Sequence, residues 1–242
     1  MSNIFTRTVT IPDNSSDIFG RCKPGALQDI MQETGNMHSE VLGLARDDLP
    51  GSVVWVLAKA LLRLSRPVER GDELTVSTWY RGNVGALVYR DNDMHMGGEH
   101  IAEAVTAWVM FDLERQRPIR PDIAEAAKLV YTPPTPKTIL LGKAERPARV
   151  CGAGTRPVWY SDLDMNGHMN NIKYMDILCD AIKLEEHPKA FLKSANLHYT
   201  GQTMPGQSIT LEKGGLPDGR IYISGAADGK RVFEAAAELG AL

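Results

Sequence analysis

The sequence predicts an α+β protein made of two tandem repeats, each an antiparallel sheet wrapped around a central helix. Three observations support this fold: a weak internal repeat, one helix followed by several strands in each half, and a proline-rich stretch between the halves. We place the first repeat at residues 1–127, a linker at 128–150 and the second repeat at 151–242.

The internal repeat is visible when the chain is shifted by 147 residues, which places Asp17–Gly20 over Asp164–Gly167. Further along, a shift of 135 places Gly71 on Gly206. The second copy is then shorter by twelve residues between its helix and its strands. The alternative is that so few identities are a coincidence and that Asp17 begins an ordinary turn.

In the first copy, apolar positions at helical spacing predict a helix from Pro24 to about Val41. Turns are predicted at Arg66-Pro67 and between Asn92 and Gly98. Apolar or alternating runs predict strands at Val53–Leu57, Leu61–Leu64, Glu73–Tyr80 and Ile101–Leu113.

The second copy shows the same order of elements. A helix is predicted from about Asn170 to Glu185, and the stretch Tyr131–Pro136 before this copy predicts a rigid linker. Four strands follow the helix, near Leu192–Tyr199, Ser208–Lys213, Arg220–Gly225 and Arg231–Leu239.

Composition limits the classes of function. The chain has 242 residues, 43% of them hydrophobic, and a formal net charge of −3. This charge argues against nucleic acid as a partner, and no apolar run is long enough to span a membrane. Residues 1–5 lack the features of a secretory signal, and Cys22, Cys151 and Cys179 do not have metal-ligand spacing. We expect a cytoplasmic protein with reduced thiols and no bound metal.

The segment Asp162–Tyr174 carries the clearest signal of chemistry. Asp164, Asn166 and His168 occupy every second position, which in an extended segment points their side chains the same way. The alternative is a polar turn before a helix, with Asn170 as its N-cap and His168 as an incidental loop residue. An ordinary turn needs neither an imidazole nor the Lys-Tyr pair that closes the segment, so we favour a functional site.

This segment resembles the D-x-N-x-H-x-N-N-x-K-Y signature of plant-type acyl-acyl carrier protein thioesterases, which hydrolyse the thioester between a fatty acid and its carrier protein. The likeness continues in the first half at Trp55–Leu57, Arg66–Asp72, Thr78–Trp79, Tyr89–Asp91 and Ala107–Met110. The chain is identified as a bacterial member of this family. The resemblance implies a tandem hotdog fold, in which the first repeat shapes the acyl pocket and the second carries the catalytic residues.

Thioester hydrolysis needs a nucleophile or base, an oxyanion donor and a proton for the leaving thiolate, but no metal or organic cofactor. Asp164 is the candidate for the first role, either attacking the carbonyl or deprotonating water, and the sequence leaves both open. Asn166 would hold the water or the carboxylate, and His168 would pass a proton or orient Asp164. The helix beginning near Asn170 and Asn171 would offer N–H groups to the substrate carbonyl.

Gln202 and Thr203 depart from the family pattern. Gln202 stands where the family has a glutamate, and Thr203 stands where it has a cysteine. A glutamine positions water but cannot take its proton, so Asp164 would carry more of the chemistry. His198 would join the site only if it shares a strand face with Gln202.

The resemblance also implies that Met31, Trp55 and Leu57 bind the acyl chain, while the alternative for a lone tryptophan such as Trp55 or Trp108 is a plain core residue. It implies too that the partner is an acidic acyl carrier protein. A basic strip would guide such a partner, and its alternative is a solvated connector without a specific role. The strip consists of Lys128, Lys137, Lys143, Arg146, Arg149 and Arg156.

Two other functions stay open at this point. One is hydrolysis of acyl-CoA, which a related hotdog enzyme would perform. The other is acyl binding without hydrolysis, for which Gln202 would mark a degraded site. Both a monomer and a homodimer are compatible with two repeats in one chain.

Overall fold

The computed structural model of the protein describes residues 3–49, 51–120, 129–133, 139 and 141–242, without the side chain of Arg46. These residues form two α-helices, α1 (Pro24–Val41) and α2 (Asn171–Ile182). They also form eleven strands: β1 (Ile4–Thr10), β2 (Val53–Leu64), β3 (Glu73–Val84), β4 (Leu87–Met96), β5 (Glu99–Asp112), β6 (Arg117–Ile119), β7 (Cys151–Pro157), β8 (Ala190–Tyr199), β9 (Ser208–Gly215), β10 (Ile221–Ala227) and β11 (Lys230–Ala241).

The strands form one antiparallel sheet in the order β1-β3-β4-β5-β2-β8-β11-β10-β9-β7, with β6 added to β5. The first five strands in this order belong to the first half of the chain and the last five to the second. The halves meet where β2 pairs with β8, in a register that runs from Lys59 opposite His198 to Arg63 opposite Ser194. Each half therefore contributes one continuous part of the sheet, and the two parts are joined at one pair of strands.

The two halves repeat each other at the shift seen in the sequence. Strand β7 begins and ends 147 residues after β1, and Gly20 and Gly167 both adopt positive φ angles, of 80° and 76°. The Asp17 N–H donates to the carbonyl of Arg21, just as the Asp164 N–H donates to the carbonyl of His168. The repeat is therefore structural, and a coincidence of sequence does not account for it.

Several predicted elements need correction. The runs at Val53–Leu57 and Leu61–Leu64 are one strand, β2, with a bulge after Leu57. Asn92 and Asp93 are not a turn but lie inside β4, and only Gly97-Gly98 turns the chain. The prediction was wrong because these polar residues, typical of turns, here occupy a sheet interior in which Asn92 is buried.

Further differences concern two edge strands and the end of a helix. Strands β1 and β7 were not predicted; both are short edge strands whose pairing depends on distant residues. Helix α2 stops at Ile182 rather than near Glu185, because Lys183 adopts the left-handed conformation with φ of 62°. The prediction of α1 is confirmed.

The two helices contact each other over the sheet and share one hydrophobic core. Leu27 and Met31 of α1 are buried in the same cluster as Met175 and Leu178 of α2. At the crossing, a Cβ atom on Gly25 would lie 2.1 Å from an Asp176 carboxylate oxygen, so the missing side chain allows the close approach. No described helix is long and apolar enough to cross a lipid bilayer.

The described part of the linker covers the opposite face of the sheet. Leu141 is buried against β2, β4 and β5, and Ala144 is buried against Tyr222 and Ala236. The Lys59 ammonium donates to the Leu141 carbonyl at 2.6 Å. Leu141 and Ala144 therefore anchor this segment to the sheet, although most of its other residues are exposed. Pro134–Pro136 and residues 121–128 lie outside the described chain. The predicted domain boundaries stay a prediction.

A glycine in β10 tests the packing of the second half. A Cβ atom on Gly225 would lie 2.4 Å from the ring of Phe233 and 2.6 Å from Ile209, both buried. We expect Gly225→Ala to lower the free energy of unfolding by about 1–3 kcal/mol because the core is overpacked. Gly215→Ala, where a Cβ meets open space, is the control and should change it by less than about 0.5 kcal/mol. Urea denaturation measures both, and equal effects would contradict the packing described.

Candidate active site

Asp164 lies in a closed loop and not in an extended segment, so the expected strand-like alternation was wrong. The loop is closed by the Asp164 N–H, which donates to the His168 carbonyl at 2.8 Å, and by the turn at Gly167. Oxygen Oδ1 of Asp164 accepts the N–H groups of Asn166 at 2.8 Å and of His168 at 3.4 Å. The loop backbone thus fixes the carboxylate, as in the turn that the sequence offered as an alternative.

The structure places the three predicted residues in one loop, but of their side chains only those of Asp164 and Asn166 contact each other. The Asn166 amide donates to Oδ2 of Asp164 at 3.3 Å, which agrees with the expectation that it holds the carboxylate. His168 contacts Asp164 through its backbone N–H, and its ring makes no hydrogen bond to any described residue. Asp164 and His168 are half-buried and Asn166 is exposed, so water reaches the carboxylate.

An ion pair anchors the chain just before the loop. The Asp162 carboxylate is buried, accepts two hydrogen bonds from the Arg156 guanidinium and accepts the Trp159 N–H at 2.7 Å. Burial alone would raise the pKa of Asp162, but these bonds outweigh burial and lower the pKa. The Asp162 carbonyl also accepts the Asn170 N–H, which fixes the start of α2.

The N-terminus of α2 presents two asparagines with different contacts. Asn170 is the N-cap, and its side chain accepts the Ile172 N–H at 3.0 Å. The Asn171 side chain accepts a hydrogen bond from Gln32 of α1 at 2.8 Å. The Asn171 N–H has no acceptor among the described residues, so it is the helix donor that stays available for a substrate oxygen.

The segment after β8 lies against the loop. The Thr203 carbonyl accepts the Met169 N–H at 2.9 Å, and the Thr203 hydroxyl bonds the Tyr174 hydroxyl at 2.7 Å. Both Thr203 and Tyr174 are buried, whereas Gln202 is exposed and its side chain has no partner in the described part of the chain. Sequence reasoning gave Tyr174 no role, and the structure shows that it ties the segment carrying Gln202 to α2.

His198 does not belong to the site. The side chain of Tyr199 in strand β8 points towards the helices. Its hydroxyl accepts a hydrogen bond from Gln28 and donates one to the Asn171 carbonyl. The preceding residue, His198, therefore points to the other face of the sheet, next to Lys59. Burial, followed by the charge of Lys59, lowers the pKa of His198.

A cavity of about 420 Å³ lies between α1 and the sheet of the first half. Met31 and Trp55 line it, as the resemblance implied, while Leu57 is buried without being part of its lining. Gln32 and Trp108, which sequence reasoning did not select, also line it. Because Gln32 bonds Asn171, this cavity reaches the N-terminus of α2.

Solved structures show which fold this is. An acyl-ACP thioesterase from Bacteroides thetaiotaomicron VPI-5482 matches with a TM-score of 0.82 at 20% identity, covering 99% of this chain and 100% of that chain. The 12:0-ACP thioesterase from Umbellularia californica matches with a TM-score of 0.86 at 17% identity, covering 100% and 99%. At such identities the likeness shows the fold alone, and it confirms two tandem hotdog repeats.

Sequence families identify the chain further. Residues 2–126 match the acyl-ACP thioesterase N-terminal domain and residues 153–225 match the acyl-ACP thioesterase C-terminal domain. The protein belongs to the acyl-ACP thioesterase family. The chloroplastic oleoyl-acyl carrier protein thioesterase 1 of Arabidopsis thaliana is 25% identical over 183 residues, which are 66% of this chain and 49% of that protein. The chain thus spans about half the length of the curated relatives it matches.

The ion pair before the loop gives a pH-dependent prediction. Because folding lowers the pKa of Asp162, the contribution of its carboxylate to the free energy of unfolding is complete above about pH 4, the pKa of an unfolded aspartate. This contribution is lost as the pH falls through the pKa of Asp162 in the folded state. Asp162→Asn should therefore lower the free energy of unfolding by about 2 kcal/mol at pH 7, and by less in acid.

Chemical denaturation of wild type and variant at stepwise lower pH measures this difference. The control is Asp218→Asn, which removes an exposed partner of Arg220 and should change the free energy by less than about 0.5 kcal/mol. A loss for Asp162→Asn that does not shrink with falling pH would show that the carboxylate charge is not what stabilises this turn.

Proposed function

We propose that this protein hydrolyses the thioester of fatty acyl-acyl carrier protein to a free fatty acid and the carrier thiol. The observation that carries the proposal is the hydrogen bond from Gln32 to Asn171, because it joins an acyl-sized cavity in the first half to the start of α2, three residues after His168 of the loop. Family membership supports the reaction class. Its relatives include oleoyl- and palmitoyl-acyl carrier protein thioesterases, which support the same substrate class.

Asp164 is proposed as the group that starts the reaction. Its Oδ1 is engaged by two backbone N–H groups, whereas Oδ2 accepts, among the described residues, only from the Asn166 amide. Oδ2 is therefore the oxygen with lone pairs to spare. This oxygen either attacks the thioester carbonyl, giving an anhydride that water cleaves, or takes a proton from the attacking water. In both routes the carbon–sulfur bond breaks, an oxygen from water ends in the acid, and a proton passes to the thiolate.

The other groups of the site divide the remaining tasks. The Asn171 N–H, at the positive end of α2, is proposed to stabilise the oxyanion. Asn170 supports it by capping the helix. The His168 ring has no described hydrogen-bond partner, so it is available to protonate the thiolate. Gln202 is proposed to position water, since an amide cannot act as the base.

The partner is proposed to be acyl carrier protein, but the basic strip does not support this. Lys143 pairs with Glu234 at 3.5 Å, Arg146 with Glu212 at 2.6 Å, and Arg156 with Asp162. Lys128 and Lys137 lie outside the described residues. Most of the positive charges in the described part of the strip are therefore paired within the chain. The carrier protein would be recognised elsewhere on the surface.

The setting of the reaction is proposed to be the cytoplasm. Cys22, Cys151 and Cys179 are all free thiols, as is typical of a reducing compartment. The loop and the cavity belong to one chain, so both a monomer and a homodimer would carry a complete site.

The role of Asp164 can be tested against Asp17, the equivalent aspartate of the first half. Asp164→Asn should lower kcat by at least about 100-fold, since it removes the nucleophile or base, while acyl binding is kept. Asp17→Asn is the matched control: Asp17 accepts the same two loop N–H groups, at 2.8 and 2.9 Å, and should leave hydrolysis unchanged. Equal effects of the two substitutions on kcat, measured by thiol release, would remove Asp164 from the mechanism.

A substrate comparison separates the candidate functions. We expect matched acyl-carrier protein thioesters to be hydrolysed with a higher kcat/KM than acyl-CoA thioesters of the same chain. Faster turnover of the CoA series would favour an acyl-CoA thioesterase. Binding of both series without release of thiol would favour a non-hydrolytic acyl-binding protein, in which Gln202 marks a disabled site.

A further inference from the structure

Exposed apolar residues surround the loop that holds Asp164, and the proposed chemistry does not use them. Tyr160 is 92% exposed, Met165 84%, Trp159 62% and Met204 44%. Single exposed apolar residues are common on protein surfaces, but several of them around one site usually mark an interaction surface. We call these four residues the apolar rim.

Backbone hydrogen bonds hold the apolar rim around the loop. On the side where the chain enters the loop, the Tyr160 carbonyl accepts the Leu163 N–H at 3.2 Å. On the side where the chain leaves it, the Met169 N–H donates at 2.9 Å to the carbonyl of the residue before Met204. A third rim residue, Met165, belongs to the loop itself. The apolar rim therefore lies on both sides of the proposed catalytic carboxylate.

The equivalent loop of the first half has a different surface. Asp13 stands at the position equivalent to Tyr160, and Glu69 stands at the position equivalent to Met204. Both are exposed, and Asp13 pairs with Arg70 at 3.4 Å. The other two positions of the rim hold a proline and an isoleucine in the first half. The shared scaffold therefore does not require aromatic residues here, and they occur in the half that carries the proposed catalytic loop.

The geometry of the site determines which part of the substrate meets the apolar rim. In the proposed reaction the acyl chain lies in the cavity under α1, which reaches the start of α2 at Asn171. The thioester sulfur and the group that carries it must then lead away from Asp164 on the solvent side of the loop. The apolar rim is exposed to that solvent, so the carrier is the part of the substrate that covers it.

The exposed area of the apolar rim fits a transient partner. If each of these large residues has about 200 Å² of surface in total, their exposed fractions amount to roughly 550 Å². Weak and transient complexes bury up to about 600 Å² on each partner, whereas obligate dimers bury about 1,000 Å² or more. The area is therefore small for a stable pair of copies of this chain. It suits a carrier that must be released after every turnover.

We infer that the apolar rim docks the protein body of the acyl carrier protein, through apolar side chains around the arm that bears the thioester. The inference rests on the proposed hydrolysis and specifies how its partner is recognised. Trp159 and Tyr160 supply the main contacts, since tryptophan and tyrosine are enriched among the residues that dominate interface energies. This apolar contact takes the place of the charge attraction that the sequence predicted for the basic strip.

The test compares a carrier-protein thioester with the CoA thioester of the same acyl chain, because only the first has a protein body. Tyr160→Ser should lower the ratio of the two kcat/KM values, carrier protein over CoA, at least about fivefold, through KM for the carrier-protein thioester. Met165→Ser should lower the same ratio. An unchanged ratio, or an equal loss with both thioesters, overturns the inference, because the rim would then not contact the carrier body.

The first half provides a matched control. Ile18 stands at the position equivalent to Met165 and is 77% exposed. Ile18→Ser removes a similar exposed apolar side chain from the other loop and should keep the wild-type ratio. If Ile18→Ser lowered the ratio as much as Met165→Ser, docking would not be specific to the apolar rim and the inference would fail.

Binding without turnover separates docking from hydrolysis. A carrier protein whose acyl chain is attached by an amide should bind wild type with a Kd at least about fivefold below that for Tyr160→Ser, and an equal Kd overturns the inference. Absence of hydrolysis of every thioester would overturn the proposed function, while this comparison would still decide the docking. Light scattering tests the other occupant: a wild-type dimer that Tyr160→Ser dissociates would show that the apolar rim joins two copies of the chain, and would overturn the inference.

Discussion

The pairing of β2 with β8 is the constraint on which the site depends. It fuses two sheets into one and sets α1 and α2 side by side on the same face, so that residues far apart in sequence meet. Gln28 and Gln32 of α1 then reach Tyr199 and Asn171 of the second half. Without this register, Gln32 of the cavity would not reach Asn171 at the start of α2.

The repeat also explains why one half is suited to chemistry and the other is not. Both halves contain the same loop, in which an aspartate accepts two backbone N–H groups. In the first half Oδ2 of Asp17 is engaged at 3.1 Å by the buried Arg21, which holds it as a structural ion pair. In the second half the corresponding oxygen of Asp164 contacts, among the described residues, only the amide of Asn166. Two changes of residue type on one scaffold thus separate an ion-paired carboxylate from the one that we propose to be reactive.

The sequence was informative where local pattern decides the structure. The repeat, α1, the cap at Asn170 and the nearness of Asn166 to Asp164 all depend on residues close in the chain, and all could be predicted. The family resemblance added Met31 and Trp55 as cavity residues. The closed shape of the loop was missed because alternation alone does not distinguish a strand from a tight turn.

Other features depend on packing between distant segments and could not be predicted. Gln32 is one of several polar positions on α1, and nothing local marks it as the partner of Asn171. Asn92 and Asp93 suggested a turn, although they lie within strand β4. The bond between Tyr174 and Thr203 joins a helix to a loop 29 residues away. In each case tertiary contacts override local preference.

The central claim is that the acyl chain binds in the first half while its thioester reacts in the second. The most direct test is a crystal structure with a carrier-like pantetheine arm joined to the acyl chain by a non-hydrolysable amide. The account predicts that the chain lies between α1 and Trp108, with the carbonyl oxygen at the Asn171 N–H and the carbonyl carbon beside Oδ2 of Asp164. A chain bound beneath α2, or a carbonyl remote from Asp164, would contradict it.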